Sequence, residues 1–274
     1  MSLIDTHAHL EFKDFDNDRE EVIKRAFDAS VTKIITVGCD FLSHKKATDI
    51  AQKYNGVYAC VGFHPDEVDR VGGNINGMEV DDYKSVQEKV KAHLSSALEE
   101  SSKIVAIGEC GLDYSRLKKG KEGDSKKKQE ILFRAQIEYA NEVKLPLIIH
   151  VRDAEDDAFT ILKDYPETKG VLHCFGGSTE HAKQFLDMGF LISFTGIVTF
   201  KNADVVREVV KIVPLEKMMV ETDCPFLAPE PHRGKRNEPA YVVEVARKIA
   251  EVKNVSFEQV SETTTKNAIT FFNL

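Results

Sequence analysis

The feature that most constrains the fold is a regular alternation of short β-branched runs with longer amphipathic segments. Eight runs are rich in strand-forming residues: Leu3–His9, Lys33–Cys39, Val57–His64, Ile104–Asp113, Leu145–Arg152, Gly170–Phe175, Phe190–Gly196 and Lys217–Cys224. Charged segments of helical periodicity separate these runs, and two more follow the last one. Such alternation indicates parallel strands joined by right-handed crossovers. Eight units within 274 residues therefore predict a (βα)8 TIM barrel that occupies residues 1–274 as a single domain.

The main alternative is a doubly wound open sheet. That fold usually carries a glycine-rich phosphate-binding turn after its first strand. Here the first run is followed by the residues LEFKDF, which contain no glycine. The pattern therefore favours a closed barrel.

Composition excludes several classes of protein. The formal net charge of −8 argues against a broad basic surface that wraps nucleic acid. No apolar run reaches the roughly 18 residues that a membrane span needs, and no N-terminal signal is evident. Five cysteines without tight pairing indicate reduced thiols. We expect a cytoplasmic protein, with a nuclear location also compatible, and no obligate protein partner.

Polar side chains gather where the predicted strands end. A barrel of this kind keeps its active site at the carboxyl ends of its strands. Residues on alternate positions of a strand share one face, so His7 and His9 point the same way. The remaining strand-end residues are His64, Glu109, Asp113, His150, Arg152, His173, Glu221 and Asp223.

This collection of imidazoles and carboxylates is typical of a metal site. Two-metal hydrolytic sites hold their ions about 3.5–4 Å apart, usually through a bridging group. Mixed nitrogen and oxygen ligands suit Zn, Mn, Ni or Fe. The competing interpretation is that the histidines are structural.

The same residues fall in motifs that resemble the TatD family of metal-dependent hydrolases, in the amidohydrolase superfamily. The motifs are DTHAHL, GFHP, IGECGLDY, IIHVR, LHCF and VETDCPF, followed by HRGKRNEP. The resemblance implies a barrel with one or two divalent ions per chain, whether Mg, Zn or Mn. It also implies a deoxyribonuclease, of the exonuclease type, that hydrolyses phosphodiester bonds in DNA with a metal-activated water.

Two alternatives to this function stay open. The first is D-aminoacyl-tRNA deacylation or another ester or amide hydrolysis, in which the same activated water attacks a carbonyl group. The second is a nucleic-acid-binding protein without catalytic activity.

The resemblance also implies a role for each ligand. His7, His9 and Asp223 would hold the first ion, and His150 and His173 the second. Glu109 would bridge the two ions, and with Asp223 it forms the predicted catalytic pair. Asp223 would also take the proton from the attacking water. Glu221 would support the site from outside the ligand set.

Further residues near the strand ends are candidates for substrate contact. Arg152 would bind a phosphate group, or else form a salt bridge to Asp113 or Glu221. His64 would contact substrate or simply end its strand, and Tyr114 would contact a phosphate or stack on a base. In the HRGKRNEP loop, Arg233 and Asn237 would bind or orient the substrate, with Asn237 pinning the loop.

One concentrated basic segment could hold DNA on this acidic protein. Residues 115–128 contain seven basic side chains against two acidic ones, and Lys118, Lys119 and Lys121 are the predicted DNA contacts. The alternative is a solvated loop that leads into a helix starting near Ser125. A helix starting there would place Lys126–Lys128 at its N-terminus, where they oppose the macrodipole.

Overall fold

Eight parallel strands form one sheet that curls into a nearly closed barrel. The computed structural model describes residues 2–68, 74–75, 78–79, 82–117 and 119–274. The barrel strands are β1 Leu3–Ala8, β2 Val31–Gly38, β3 Val57–Val61, β4 Ile104–Asp113, β5 Leu147–Arg152, β6 Gly170–Leu172, β7 Leu191–Phe194 and β8 Met218–Val220. Each strand pairs with the next one along the chain. The predicted (βα)8 fold is confirmed.

The barrel closes between β1 and the residues that follow β8. Ala8 forms a parallel bridge with Cys224. The main-chain N–H of His9 donates to the Cys224 carbonyl at 2.8 Å, and that of Asp223 donates to the His7 carbonyl at 2.9 Å. These closing bonds place His7 and His9 directly beside Asp223.

Helices surround the barrel. They are α1 Arg19–Asp28, α2 Phe41–Lys53, α3 Tyr83–Glu100, α4 Glu122–Val143, α5 Glu155–Lys163, α6 Thr179–Asp187, α7 Asp204–Ile212, α8 Val242–Lys253 and α9 Phe257–Phe272. Asp40 caps α2, and Ser178 and Ser256 cap α6 and α9, because each side chain accepts an otherwise unpaired main-chain hydrogen. None of the described helices is both long and apolar enough to cross a bilayer.

The start of α4 differs from the sequence expectation. The helix begins at Glu122 rather than near Ser125, so Lys126–Lys128 lie beyond its first turn. Glu122 and Asp124 occupy that first turn, where negative charge interacts favourably with the macrodipole. The expected electrostatic cost of lysines at the helix N-terminus is therefore wrong.

An apolar cluster fills the barrel below the strand ends. It includes Ile35 and Val37 of β2, Ile148 of β5, Val171 of β6 and Met219 of β8. Side chains of α9 complete this cluster, and α9 packs against β1 and β8. In each of these strands, the next side chain that points into the barrel is polar. The polar site therefore lies directly on this apolar cluster.

Candidate metal centre

Two histidines of β1 and one carboxylate after β8 converge on a single point. His7 Nε2 lies 3.2 Å from His9 Nε2. Asp223 Oδ1 lies 3.4 Å from His9 Nε2 and 3.9 Å from His7 Nε2. Two nitrogens bound to one ion at 2.0–2.1 Å would be roughly 3.3 Å apart at a tetrahedral angle. The spacing of this group therefore fits a shared cation.

A second histidine pair has the same spacing. His150 Nδ1, at the end of β5, lies 3.2 Å from His173 Nε2, directly after β6. The His173 ring also stacks on the His7 ring, with centroids 4.0 Å apart. The two histidine pairs therefore form one continuous cluster.

Glu109 of β4 joins the two pairs. Its Oε2 lies 3.4 Å from His7 Nε2 and 3.8 Å from His9 Nε2. Its Oε1 lies 2.8 Å from both His150 Nδ1 and His173 Nε2. One oxygen therefore faces each pair, which is the geometry that a carboxylate bridge between two ions requires.

The electrostatics of the cluster favour an ionised bridge. Burial opposes ionisation of Glu109, but the charge of His173 and the hydrogen bonds from His150 and His173 hold its pKa well below the ordinary value. Burial also opposes protonation of His173, yet the Glu109 and Glu221 carboxylates raise its pKa well above the ordinary value. Positive charge is therefore stabilised within the cluster, as a divalent cation would require.

Carboxylates hold the ring nitrogens that point away from the cluster. His173 Nδ1 donates to Glu221 Oε1 at 3.2 Å, and His150 Nε2 donates to Asp113 Oδ2 at 3.1 Å. His9 Nδ1 lies 3.1 Å from Glu11 Oε1. Such partners orient imidazole ligands and increase their basicity. Glu221 is placed to orient His173 in this way, in keeping with its predicted supporting role.

His64 lies inside the cluster rather than at its edge. Its Nε2 is 3.6 Å from Glu109 Oε1, and His64, Asp113 and His150 each have a candidate ligand atom within 4.8 Å of the others. Burial lowers its pKa to about 3, so the ring is neutral. Because Nδ1 accepts the main-chain hydrogen of Asp66, Nε2 carries the ring proton and faces the site as a donor.

Three other substrate candidates lie near the strand ends. Arg152 is exposed at the end of β5 and makes no ion pair to any side chain within the described ranges. Its suggested partner Asp113 instead bonds to His150 and Ser115. Tyr114 is half-buried and donates to Asp157 at 2.8 Å. The Arg233 guanidinium packs over the Phe200 ring and donates to the Ala228 carbonyl.

Asn237 holds the loop and does not contact solvent. It is fully buried. Its Nδ2 donates to the carbonyls of Thr222 and Phe226, and its Oδ1 accepts from the Glu238 main chain. These contacts are those expected of a residue that pins the loop, and burial of the amide favours a role in positioning the loop over direct contact with substrate.

The structure describes the basic segment apart from one residue. Lys119 and Lys121 are exposed and precede α4, which follows the strand that carries Glu109. The predicted contact Lys118 lies outside the described residues.

Sequence reasoning missed Cys39, directly after β2. Its Sγ lies 3.4 Å from Glu109 Oε2, and the candidate ligand atoms of Cys39, His9 and Glu109 all lie within 4.8 Å of one another. The available signal was its position, because Cys39 ends an apolar run just as the predicted ligands do.

Comparisons with known proteins cover nearly the whole chain. The sequence profile of the family described as "TatD related DNase" matches residues 4–273. An uncharacterized metal-dependent hydrolase of Bacillus subtilis, YabD, is 44% identical over 274 residues, covering 99% of each protein. A Shigella flexneri protein named 3'-5' ssDNA/RNA exonuclease TatD is 29% identical over 279 residues, again covering 99% of each.

The fold is similar to solved structures as well. The crystal structure of YJJV, a TatD homologue from Escherichia coli, matches with a TM-score of 0.85 at 29% identity. The match covers 99% of this chain and 98% of that chain. The similarity therefore spans the complete barrel.

Proposed function

This chain belongs to the TatD-related family of metal-dependent hydrolases, and we propose that within this family it cleaves phosphodiester bonds in DNA. The observation that carries the proposal is the position of Glu109, whose two oxygens face two separate imidazole pairs. That arrangement suits the paired ions of hydrolytic centres that act on phosphate esters. The relative named as an ssDNA/RNA exonuclease supports nucleic acid as the substrate class.

The proposed ligands follow the two groups of the cluster. His7, His9 and Asp223 would hold the first ion, His150 and His173 would hold the second, and Glu109 would contact both. When bound, the divalent ions supply an activated water and Lewis acidity at the phosphoryl oxygens. The candidate ions are Mg, Zn and Mn.

Asp223 is the proposed general base. Burial would raise its pKa, but the hydrogen bond from His9 and the charges of the nearby imidazoles keep its pKa below the ordinary value. The carboxylate is therefore ionised at neutral pH and can accept the proton of the attacking water. Its side chain remains partly exposed to solvent, so water and substrate can reach it.

Basic groups and donors around the cluster bind the strand. The exposed Arg152 guanidinium can bind phosphate oxygens in a bidentate manner. The Nε2 proton of His64 points toward Glu109 and can donate to a phosphate oxygen. Lys119 and Lys121 add positive charge along the approach of the substrate.

One reconstitution experiment tests this function. Metal-free protein is loaded separately with Mg, Mn or Zn and incubated with single-stranded DNA, duplex DNA and D-aminoacyl-tRNA. We expect metal-dependent release of nucleotides from DNA, and release about 10²–10⁴-fold slower from protein carrying Asp223→Asn. Cleavage of D-aminoacyl-tRNA alone would replace the proposal with ester hydrolysis. Binding of DNA without any cleavage would identify a protein that only binds nucleic acid.

A further inference from the structure

Cys39 has the same orientation as the proposed metal ligands. It follows Ile35 and Val37 at alternate positions, and both of these side chains face the barrel interior. The Ser43 hydroxyl accepts the main-chain hydrogens of Cys39 and Asp40, at 2.8 and 2.9 Å. This contact with the start of α2 fixes where the strand ends, and with it the position of the thiol.

The thiol lies against the bridging carboxylate. Cys39 Sγ is 3.4 Å from Glu109 Oε2, the oxygen that faces His7 and His9. A sulfur at about 2.3 Å and a carboxylate oxygen at 2.0–2.2 Å from one ion would lie roughly 3.6 Å apart at a tetrahedral angle. The observed separation therefore suits two ligands of one ion as well as it suits an S–H···O hydrogen bond.

The other four cysteines have different surroundings. Cys60, Cys110 and Cys224 are buried among apolar residues of the core. Cys174 is part-buried and its Sγ lies 3.5 Å from the Thr195 hydroxyl. Within the part of the chain that the structure describes, Cys39 alone among these thiols groups with histidine and carboxylate ligand atoms.

We propose that Cys39 supplies a sulfur ligand to the ion on the Glu109 Oε2 side, and that this ligand biases the centre toward thiophilic ions such as Zn²⁺ over Mg²⁺. The inference rests on the metal centre proposed above. As the sulfur–metal bond forms, the thiol proton passes to solvent, so the coordinating species is the thiolate. Thiolate ligands select ions such as Zn²⁺, whereas Mg²⁺ prefers oxygen.

Cobalt substitution tests for the sulfur ligand directly. Metal-free protein is titrated with Co²⁺, and the near-ultraviolet sulfur-to-cobalt charge-transfer band is recorded together with bound cobalt. We expect the band in the wild-type protein and its loss in Cys39→Ser. The matched control Cys174→Ser removes another part-buried thiol beside the site and should keep the band. Zn²⁺ affinity should fall by at least about tenfold in Cys39→Ser, because loss of a group that only orients a ligand already costs about 10–100-fold, and Mg²⁺ affinity should change much less.

The outcomes separate this inference from the proposed function. Full cobalt binding without the band in the wild-type protein would overturn the ligand role, even if DNA is cleaved. Loss of the band in Cys174→Ser but not in Cys39→Ser would also overturn it. Absence of cobalt binding altogether would contradict the metal centre itself.

A second measurement needs no variant and so avoids any failure of Cys39→Ser to fold. Wild-type protein is alkylated with iodoacetamide in the presence and absence of Zn²⁺, and modification is mapped by mass spectrometry. We expect bound Zn²⁺ to protect Cys39 from alkylation, because a sulfur whose electron pair is bound to the ion cannot attack the reagent. Equal alkylation with and without bound Zn²⁺ would overturn the proposal.

Discussion

The support that Glu221 gives to His173 predicts a selective effect of Glu221→Gln. Glu221 is buried, and its Oε1 accepts from His173 Nδ1 at 3.2 Å and from the Cys174 main chain at 2.6 Å. Glutamine has nearly the same shape and keeps an oxygen for both donors. The substitution therefore removes the negative charge and replaces Oε2, which accepts from Thr6 Oγ1 at 3.4 Å, while the Thr6 hydroxyl keeps the Val220 carbonyl as an acceptor.

The magnitude follows from the hydrogen bond to His173. A bond to a charged acceptor contributes about 1.5–3 kcal/mol, whereas a neutral one contributes about 0.5–1.5 kcal/mol. The loss of about 1–1.5 kcal/mol corresponds to roughly a tenfold weaker affinity for the ion at His150 and His173. This value lies at the lower end of the 10–100-fold range that is typical for groups that orient a metal ligand.

The assay is isothermal titration of metal-free protein with Mn²⁺ or Zn²⁺, which resolves a stronger and a weaker site. We expect Glu221→Gln to weaken one site about tenfold and to change the other less than twofold. The matched control is Glu238→Gln, because Glu238 is also buried but pairs with Arg25, away from the ligands. Unchanged affinity at both sites in Glu221→Gln, or the same loss in the control, would refute the reasoning.

Three other predictions follow from the described contacts. Asp223→Asn should lower turnover about 10²–10⁴-fold while DNA affinity stays near the wild-type value; unchanged turnover with metal bound would assign the base to another group. Replacing Lys119 and Lys121 with Ala should weaken binding of single-stranded DNA and reduce the salt slope by about 0.7 per lost contact, without affecting cleavage of a small chromogenic phosphodiester; an unaltered slope would show that the segment is only solvated. Burial lowers the pKa of His44 from 6.5 to about 4. Between these pH values the His44 ring is neutral in the folded protein and protonated in the unfolded chain. Up to about 3 kcal/mol of the free energy of unfolding is therefore lost as the pH falls from 6.5 to 4. Denaturant unfolding should show this loss in the wild-type protein and a smaller one in His44→Gln, and equal losses would exclude His44 as its source.

The fold was predictable because its signals are local and repeated. Eight β-branched runs correspond to the eight barrel strands, and the amphipathic segments between them correspond to helices. The ends of the helices were less predictable, because they depend on the residues of the first and last turns. Glu122 and Asp124 form the first turn of α4, although the sequence pattern placed both residues in a loop.

The convergence of strand-end residues was also predictable, since the carboxyl ends of parallel strands meet at one face of a barrel. His7, His150, His173, Glu109 and Asp223 do lie together.

The contact of Cys39 with Glu109 and the full burial of Asn237 could not be predicted from spacing, although Asn237 was expected to pin its loop. A thiol at a strand end is equally compatible with core packing, and only the contact with Glu109 distinguishes the two. An asparagine in a basic loop is usually solvated, and its burial depends on carbonyl groups that tertiary packing brings to it. Both cases depend on long-range contacts that a local pattern does not contain.

The most direct test of the central claim is anomalous diffraction from crystals of the protein loaded with Mn²⁺. The account predicts two anomalous peaks about 3.5–4 Å apart, one beside each carboxylate oxygen of Glu109. The peak near Oε2 should be ligated by His7, His9 and Asp223, and the peak near Oε1 by His150 and His173. Peaks that lie away from Glu109, or the absence of any peak at saturating Mn²⁺, would contradict a metal centre bridged by this residue.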